Sequence, residues 1–105
     1  MIKFSKDLDF NEIINNNELV LFDFGKDNCI KCKRVELIIN NYLKDHDLLV
    51  YYVDVKENMK LLRSKNIYVS PCLLLYYKGE QVYKNIDTFE FSEIINKINE
   101  LKNIA

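Results

Sequence analysis

Three short runs of apolar, β-forming residues, LVLFDF at 19–24, LLVYYVDV at 48–55 and CLLLYY at 72–77, constrain this chain more than any other feature. Runs of this length that are apolar at nearly every position, rather than at every second one, belong to strands covered on both faces, as in a mostly parallel sheet. Between the first two the period changes. Val35, Ile38, Ile39, Tyr42 and Leu43 fall at i, i+3, i+4, i+7 and i+8, one stripe of an amphipathic helix. A short helix around Met59, Leu61 and Leu62 separates the second run from the third. Ahead of them, Asp9 with Glu12 resembles a capping box, and Phe10, Ile13 and Ile14 form the apolar face of a helix over residues 8–16, ending at the Asn15-Asn16-Asn17 patch. Lys78-Gly79-Glu80 is a tight turn into a fourth strand, QVYKNI, antiparallel to the third. Phe91, Ile94, Ile95, Ile98 and Leu101 line a final helix that begins near Asp87 or Thr88. The expected class is α/β, a mixed sheet between helices, four-stranded or, with a short strand at Ile2 to Phe4, five-stranded.

Size and charge narrow the functions open to such a domain. The 105 residues suffice for one domain, 1–105, and for a core that needs no disulfide staple. Fifteen basic and sixteen acidic residues nearly cancel to −1, and no Lys/Arg cluster offers the footprint that a phosphate backbone requires, so nucleic acid is not an expected partner. No apolar run approaches the roughly 20 residues that span a bilayer. MIKFSKDLDF lacks the apolar core of a signal peptide. The expectation is a cytoplasmic monomer without membrane contact. In that reducing compartment the three cysteines, Cys29, Cys32 and Cys72, are free for chemistry rather than for bridging.

Cys29 and Cys32 stand where the loop after the first strand becomes a helix. Unpaired N–H groups and the helix dipole favour an anion there, and a thiolate is one. Lys26, Lys31, Lys33 and Arg34 add positive charge nearby, against Asp27 alone. Cys29 is therefore read as a nucleophile and Cys32, one turn inward, as the resolving thiol of an intramolecular disulfide. A Cys₃His zinc site from Cys29, Cys32, Cys72 and His46 is the competing chemistry. It lacks a second ligand pair in sequence, and His46 in KDHD sits roughly 20 Å from the start of the helix at 1.5 Å per residue. His46 is read as a solvated loop residue, and no metal or cofactor is implied.

LVLFDFGKDNCIKCK and VSPCLLLYYKGEQV resemble the strand, active-site loop and helix start, and the cis-proline strand with its hairpin, of the thioredoxin family. The resemblance spans nearly the whole chain and implies a thioredoxin-like fold and a protein-disulfide reductase. Such an enzyme exchanges its dithiol for client disulfides in cell redox homeostasis and is recycled by a thioredoxin-reductase-type partner. It implies that Cys29 attacks the client, that Cys32 displaces it, and that Asp23 accepts the proton of Cys32. It also implies that Pro71 is cis and that Ser70 offers backbone groups to an extended client segment. An acid inside LVLFDFG, if buried, has its pKa raised by desolvation.

Departures from the family pattern mark candidate modulators. Asn28 stands where tryptophan is usual, Ile30-Lys31 where Gly-Pro is usual, and Cys72 where threonine follows the proline. A lysine associated with the buried aspartate aligns with Val50, a helix-kinking proline with Leu37, and a late glycine with Asp87, which is positioned to crowd or repel acidic clients. Strand alternation and the cis-proline contact place Cys72 near the pair, as a small buried residue or as a third redox thiol or metal ligand. Glutaredoxins share the scaffold, but their Gly-Gly after the proline is absent, so glutathione is not implied. The alternative from another class is a non-enzymatic adaptor or a metal-holding module using Cys29, Cys32 and Cys72.

Overall fold

The computed structural model describes residues 1–44, 46–87 and 90–103. The chain runs β1 (Ile2–Lys3), α1 (Phe10–Asn16), β2 (Leu19–Gly25), α2 (Ile30–Leu43), β3 (Leu49–Asp54), α3 (Met59–Ser64), β4 (Cys72–Tyr77), β5 (Glu80–Ile86) and α4 (Phe91–Lys102). The sheet order is β1-β3-β2-β4-β5. β1, β3 and β2 are parallel, while β4 is antiparallel to both β2 and β5. The sheet is thus mixed and five-stranded, with the short edge at Ile2–Lys3 present.

Its two faces carry separate cores. Phe10, Ile13 and Ile14 of α1 and Leu62 of α3 pack with Val20, Phe22, Phe24, Val53, Cys72, Leu74 and Tyr76 on one face. Val35 and Ile39 of α2 and Ile94, Ile98 and Leu101 of α4 pack with Leu21, Val50, Leu73 and Leu75 on the other. This arrangement explains the unbroken apolar runs: β2 and β4 are central, and each pleat face buries its own set. At roughly 25 cal/mol per Å², every large aliphatic moved inside contributes about 1.5–3 kcal/mol.

The element ends show where local chemistry decides. Asp9 caps α1, its Oδ1 accepting from the Glu12 backbone N–H at 3.2 Å, so the helix begins at Phe10, two residues later than expected. The asparagine patch does end α1. It does so through the Asn17 side-chain amide, which donates to the Ile13 carbonyl at 2.8 Å while the Asn17 backbone turns extended. In the β4–β5 hairpin, Lys78 and Gly79 both have positive φ, 52° and 83°, the two-residue turn whose twist matches the strands. Glu80 already belongs to β5. α4 starts later than expected, at Phe91, because Asp87 takes a left-handed φ of 66° and its N–H bonds back to the Pro71 carbonyl at 2.9 Å. The other expected start, Thr88, lies outside the described residues.

Candidate functional site

β2 ends at Gly25, and four residues later Cys29 is the N-cap of α2. Gly25 answers a close approach: a Cβ there would meet the Tyr52 ring at 3.0 Å. Asn28, the residue before the cap, has φ 58° and is one of the few residue types that adopt this region readily. Cys29 and Cys32 form a disulfide with Cα atoms 5.2 Å apart. Cys29 Sγ also accepts from the Cys32 backbone N–H at 3.2 Å, so the sulfur occupies the position of a capping oxygen among the free donors of the first turn. Cys29 is half-buried, whereas Cys32 is 4% exposed. One sulfur is therefore presented and its partner lies beneath.

Asp23 lies on β2 between Tyr52 of β3 and Leu73 of β4. Alternation with Leu21 puts it on the sheet face covered by α2, the helix whose inward side carries Cys32, Val35 and Ile39. It is 1% exposed, and neither carboxylate oxygen has a hydrogen-bond partner among the described residues. Burial, followed by the charge of Glu36 on α2, raises its pKa from 3.8 to about 7. Glu36 is one helical turn beyond Cys32 and was not visible as a participant from sequence, since only tertiary packing brings it near β2. In the strand register Tyr52 is opposite Asp23 and Val50 is opposite Leu21, so Val50, where the family's lysine aligns, is a diagonal neighbour of Asp23 on the face covered by α2. Burial and the Asp23 charge push the Tyr52 phenol up to about 12.

The Ser70–Pro71 peptide bond is cis. Pro71 is buried, while Ser70 is half-buried and carries no backbone hydrogen bond among the described residues. Lys31, between the cysteines, reaches Asp87 at 3.3 Å. The Asp87 carboxylate is thereby met by a cation from the start of α2. Both side chains are well exposed, so the pair contributes at most about 1 kcal/mol.

The structure also places Cys72 and His46: of the readings open for Cys72 the small buried residue holds, and His46 is exposed, as expected. Cys72 does not face the cysteine pair: opposite Phe24 in the β2–β4 register, it packs with Phe24, Val53 and Leu74 in the core under α1 and α3. The sheet stands between it and α2, so Cys29, Cys32 and Cys72 do not converge as a metal-holding module requires. Burial is the leading cause that pushes its thiol up to about 11, which keeps it protonated near neutral pH. His46 is exposed and stacks on Tyr42 at 3.9 Å, its Nδ1–H donating to the Tyr42 carbonyl at 3.1 Å, at the far end of α2 from the cysteines. Sequence reasoning missed the apolar rim. Ile30 and Tyr68 are 83% and 76% exposed and Val69 is 46% exposed. The available signal was Tyr68-Val69 directly before Ser70-Pro71, two apolar residues that fit no core period.

Comparison with known proteins bears on this geometry. The family profile Thioredoxin matches residues 1–100. The curated protein Thioredoxin 1 of Plasmodium falciparum is 33% identical over 75 residues, covering 70% of this chain and 72% of that protein. The solution structure of oxidised thioredoxin from Plasmodium falciparum superposes with a TM-score of 0.80 at 26% identity, covering 92% of this chain and 96% of that one. A mutant thioredoxin from Halobacterium salinarum shares the fold, with a TM-score of 0.83 at 24% identity over 95% and 88% of the two chains. With a close Cys-X-X-Cys pair that forms a disulfide at the start of a helix, on this fold and across this length of sequence, the chain belongs to the thioredoxin family of thiol–disulfide oxidoreductases.

Proposed function

We propose that the chain reduces disulfides in client proteins, with Cys29 as nucleophile and Cys32 as resolving thiol. The Cys29 thiolate attacks one client sulfur; the client S–S bond breaks and its other sulfur leaves as a thiolate, taking a proton from water. Cys32 then loses its proton to Asp23 and attacks Cys29 Sγ. The mixed disulfide breaks, the second client thiolate is released and protonated, and the Cys29–Cys32 disulfide forms. Two electrons have passed to the client, and a thioredoxin-reductase-type partner supplies two more to reduce the Cys29–Cys32 disulfide again. Ser70 supplies backbone groups to an extended client segment beside Pro71, in the manner of strand addition. The working setting is a cytoplasmic monomer.

One observation carries this reading: a part-exposed cysteine at a helix N-cap is disulfide-bonded to a buried one, on the sheet face that holds an unpartnered carboxyl with a pKa of about 7. A base of that pKa takes a proton near neutral pH and releases it again, as the resolving step requires. Insulin reduction with dithiothreitol tests the activity: the parent accelerates precipitation and Cys29→Ser falls to the uncatalysed rate. Cys32→Ser accumulates mixed disulfides with lysate proteins through Cys29. Equal slow rates for parent and Cys29→Ser, with no trapped species, would overturn the assignment.

A further inference from the structure

A groove of about 500 Å³ opens beside the cysteine loop, between α3 and the segment leading to Pro71. Its lining is mostly apolar, Met59, Tyr68 and Val69 among it, together with Ser70 and two cations, Lys26 and Arg63. None of its lining residues is acidic. Met59, Tyr68 and Val69 are 52%, 76% and 46% exposed, so apolar surface is open to a partner rather than sealed in the core. Neither Lys26 nor Arg63 has an ion-pair partner among the described residues. The adjoining hollow shares Met59 and adds Lys6, Lys56 and Lys60. Its one acid, Glu57, is already paired with Lys3 at 3.6 Å. Asp27, next to Lys26, is the nearest opposing charge in sequence, and Asp87 is paired with Lys31. The chain as a whole is close to neutral, so this concentration of unpaired cations on one side of the disulfide is a local feature.

We infer that this groove selects clients whose disulfide is flanked by an extended segment carrying an apolar side chain and carboxylates, with Lys26 and Arg63 as the specificity-determining residues. The inference rests on the oxidoreductase reading and names the substrate class of that same site. Two features carry it. The apolar surface at Tyr68, Val69 and Met59 runs up to Ser70, so a segment pairing there lays alternate side chains into the groove. The free cations in its lining complement acidic groups and penalise basic ones. Because the cations are exposed, their effect is moderate and falls with ionic strength.

The test uses the full-length reduced chain and three fluorophore-quencher disulfide peptides that share a phenylalanine near the cysteine and differ in two flanking residues, both Glu, both Gln or both Lys. At low salt the expected kcat/KM for the Glu peptide is about fivefold above the Gln peptide, with the Lys peptide about fivefold below it, and the spread collapses near 0.5 M salt. The double variant Lys26→Glu with Arg63→Glu inverts the order. Rates within twofold of one another at low salt, or a Glu preference that persists in a double variant shown to be folded by circular dichroism, would overturn the inference. Should that variant fail to fold, the salt dependence of the parent decides by itself. Reduction of the Gln peptide without charge preference would remove only the docking inference. No reduction of any peptide would remove the oxidoreductase reading and the inference with it.

Discussion

Asp23 is the residue at which burial and charge are in conflict. In the unfolded chain its carboxyl releases its proton near 3.8, whereas in the fold it keeps the proton up to about 7. Below 3.8 both states are protonated, and the fold keeps its full stability with respect to this group. As pH rises from 3.8 to about 7 the unfolded chain ionises first, so stability falls, and above 7 the loss is complete. At 1.36 kcal/mol per pKa unit the loss is of the order of 4 kcal/mol. Asp23→Asn removes the ionisation. In urea unfolding of the oxidised protein, the variant is expected to gain about 2–4 kcal/mol on the parent between pH 4 and pH 8, and parallel pH curves would contradict this. LVLFDFG shows that an acid sits in an apolar strand. That both its oxygens lack partners, and that Glu36 approaches, follows from how α2 lies on the sheet.

α2 is an element whose cap is also its reactive group. Most N-caps are oxygen side chains, but here a sulfur accepts from the Cys32 N–H, so the conformation that starts the helix also holds Cys29 at its positive end. Serine at this position keeps a capping atom and alanine removes it, and neither can form the disulfide. Cys29→Ala is therefore expected to be less stable than Cys29→Ser by about 1 kcal/mol. In thermal melts that is a difference of roughly 4–8 °C for a domain near this size, and coincident melting curves would argue against the cap. The position of Cys29 at a strand-to-helix transition was legible in sequence, because Gly25 and the onset of a 3.6-residue period are local signals. The late start of α4 was not legible, because it depends on the bond from Asp87 N–H to the carbonyl of Pro71, just before β4.

At the scale of the whole molecule the sheet separates two cores, and mutations in them are expected to act independently. Ile67 belongs to the α1/α3 side and Ile98 to the α2/α4 side, each 2% exposed or less. Ile67→Val and Ile98→Val are each expected to cost about 0.5–1.5 kcal/mol, with the double variant equal to their sum within about 0.5 kcal/mol in urea unfolding. A larger coupling would mean that the sheet transmits strain between its faces. The same division separates what was readable from what was not. The order of elements, the covered strands, the hairpin at Lys78-Gly79 and the cysteines at a helix start are written in periods and spacings a few residues long, which the chain carries whatever its tertiary context. The face occupied by Cys72, the pairing of Asp23 with Tyr52, and the groove beside Ser70 are set by strand register and helix docking between segments far apart in sequence. Those distant contacts are chosen by the summed burial of both cores, and no local stretch of sequence contains that sum.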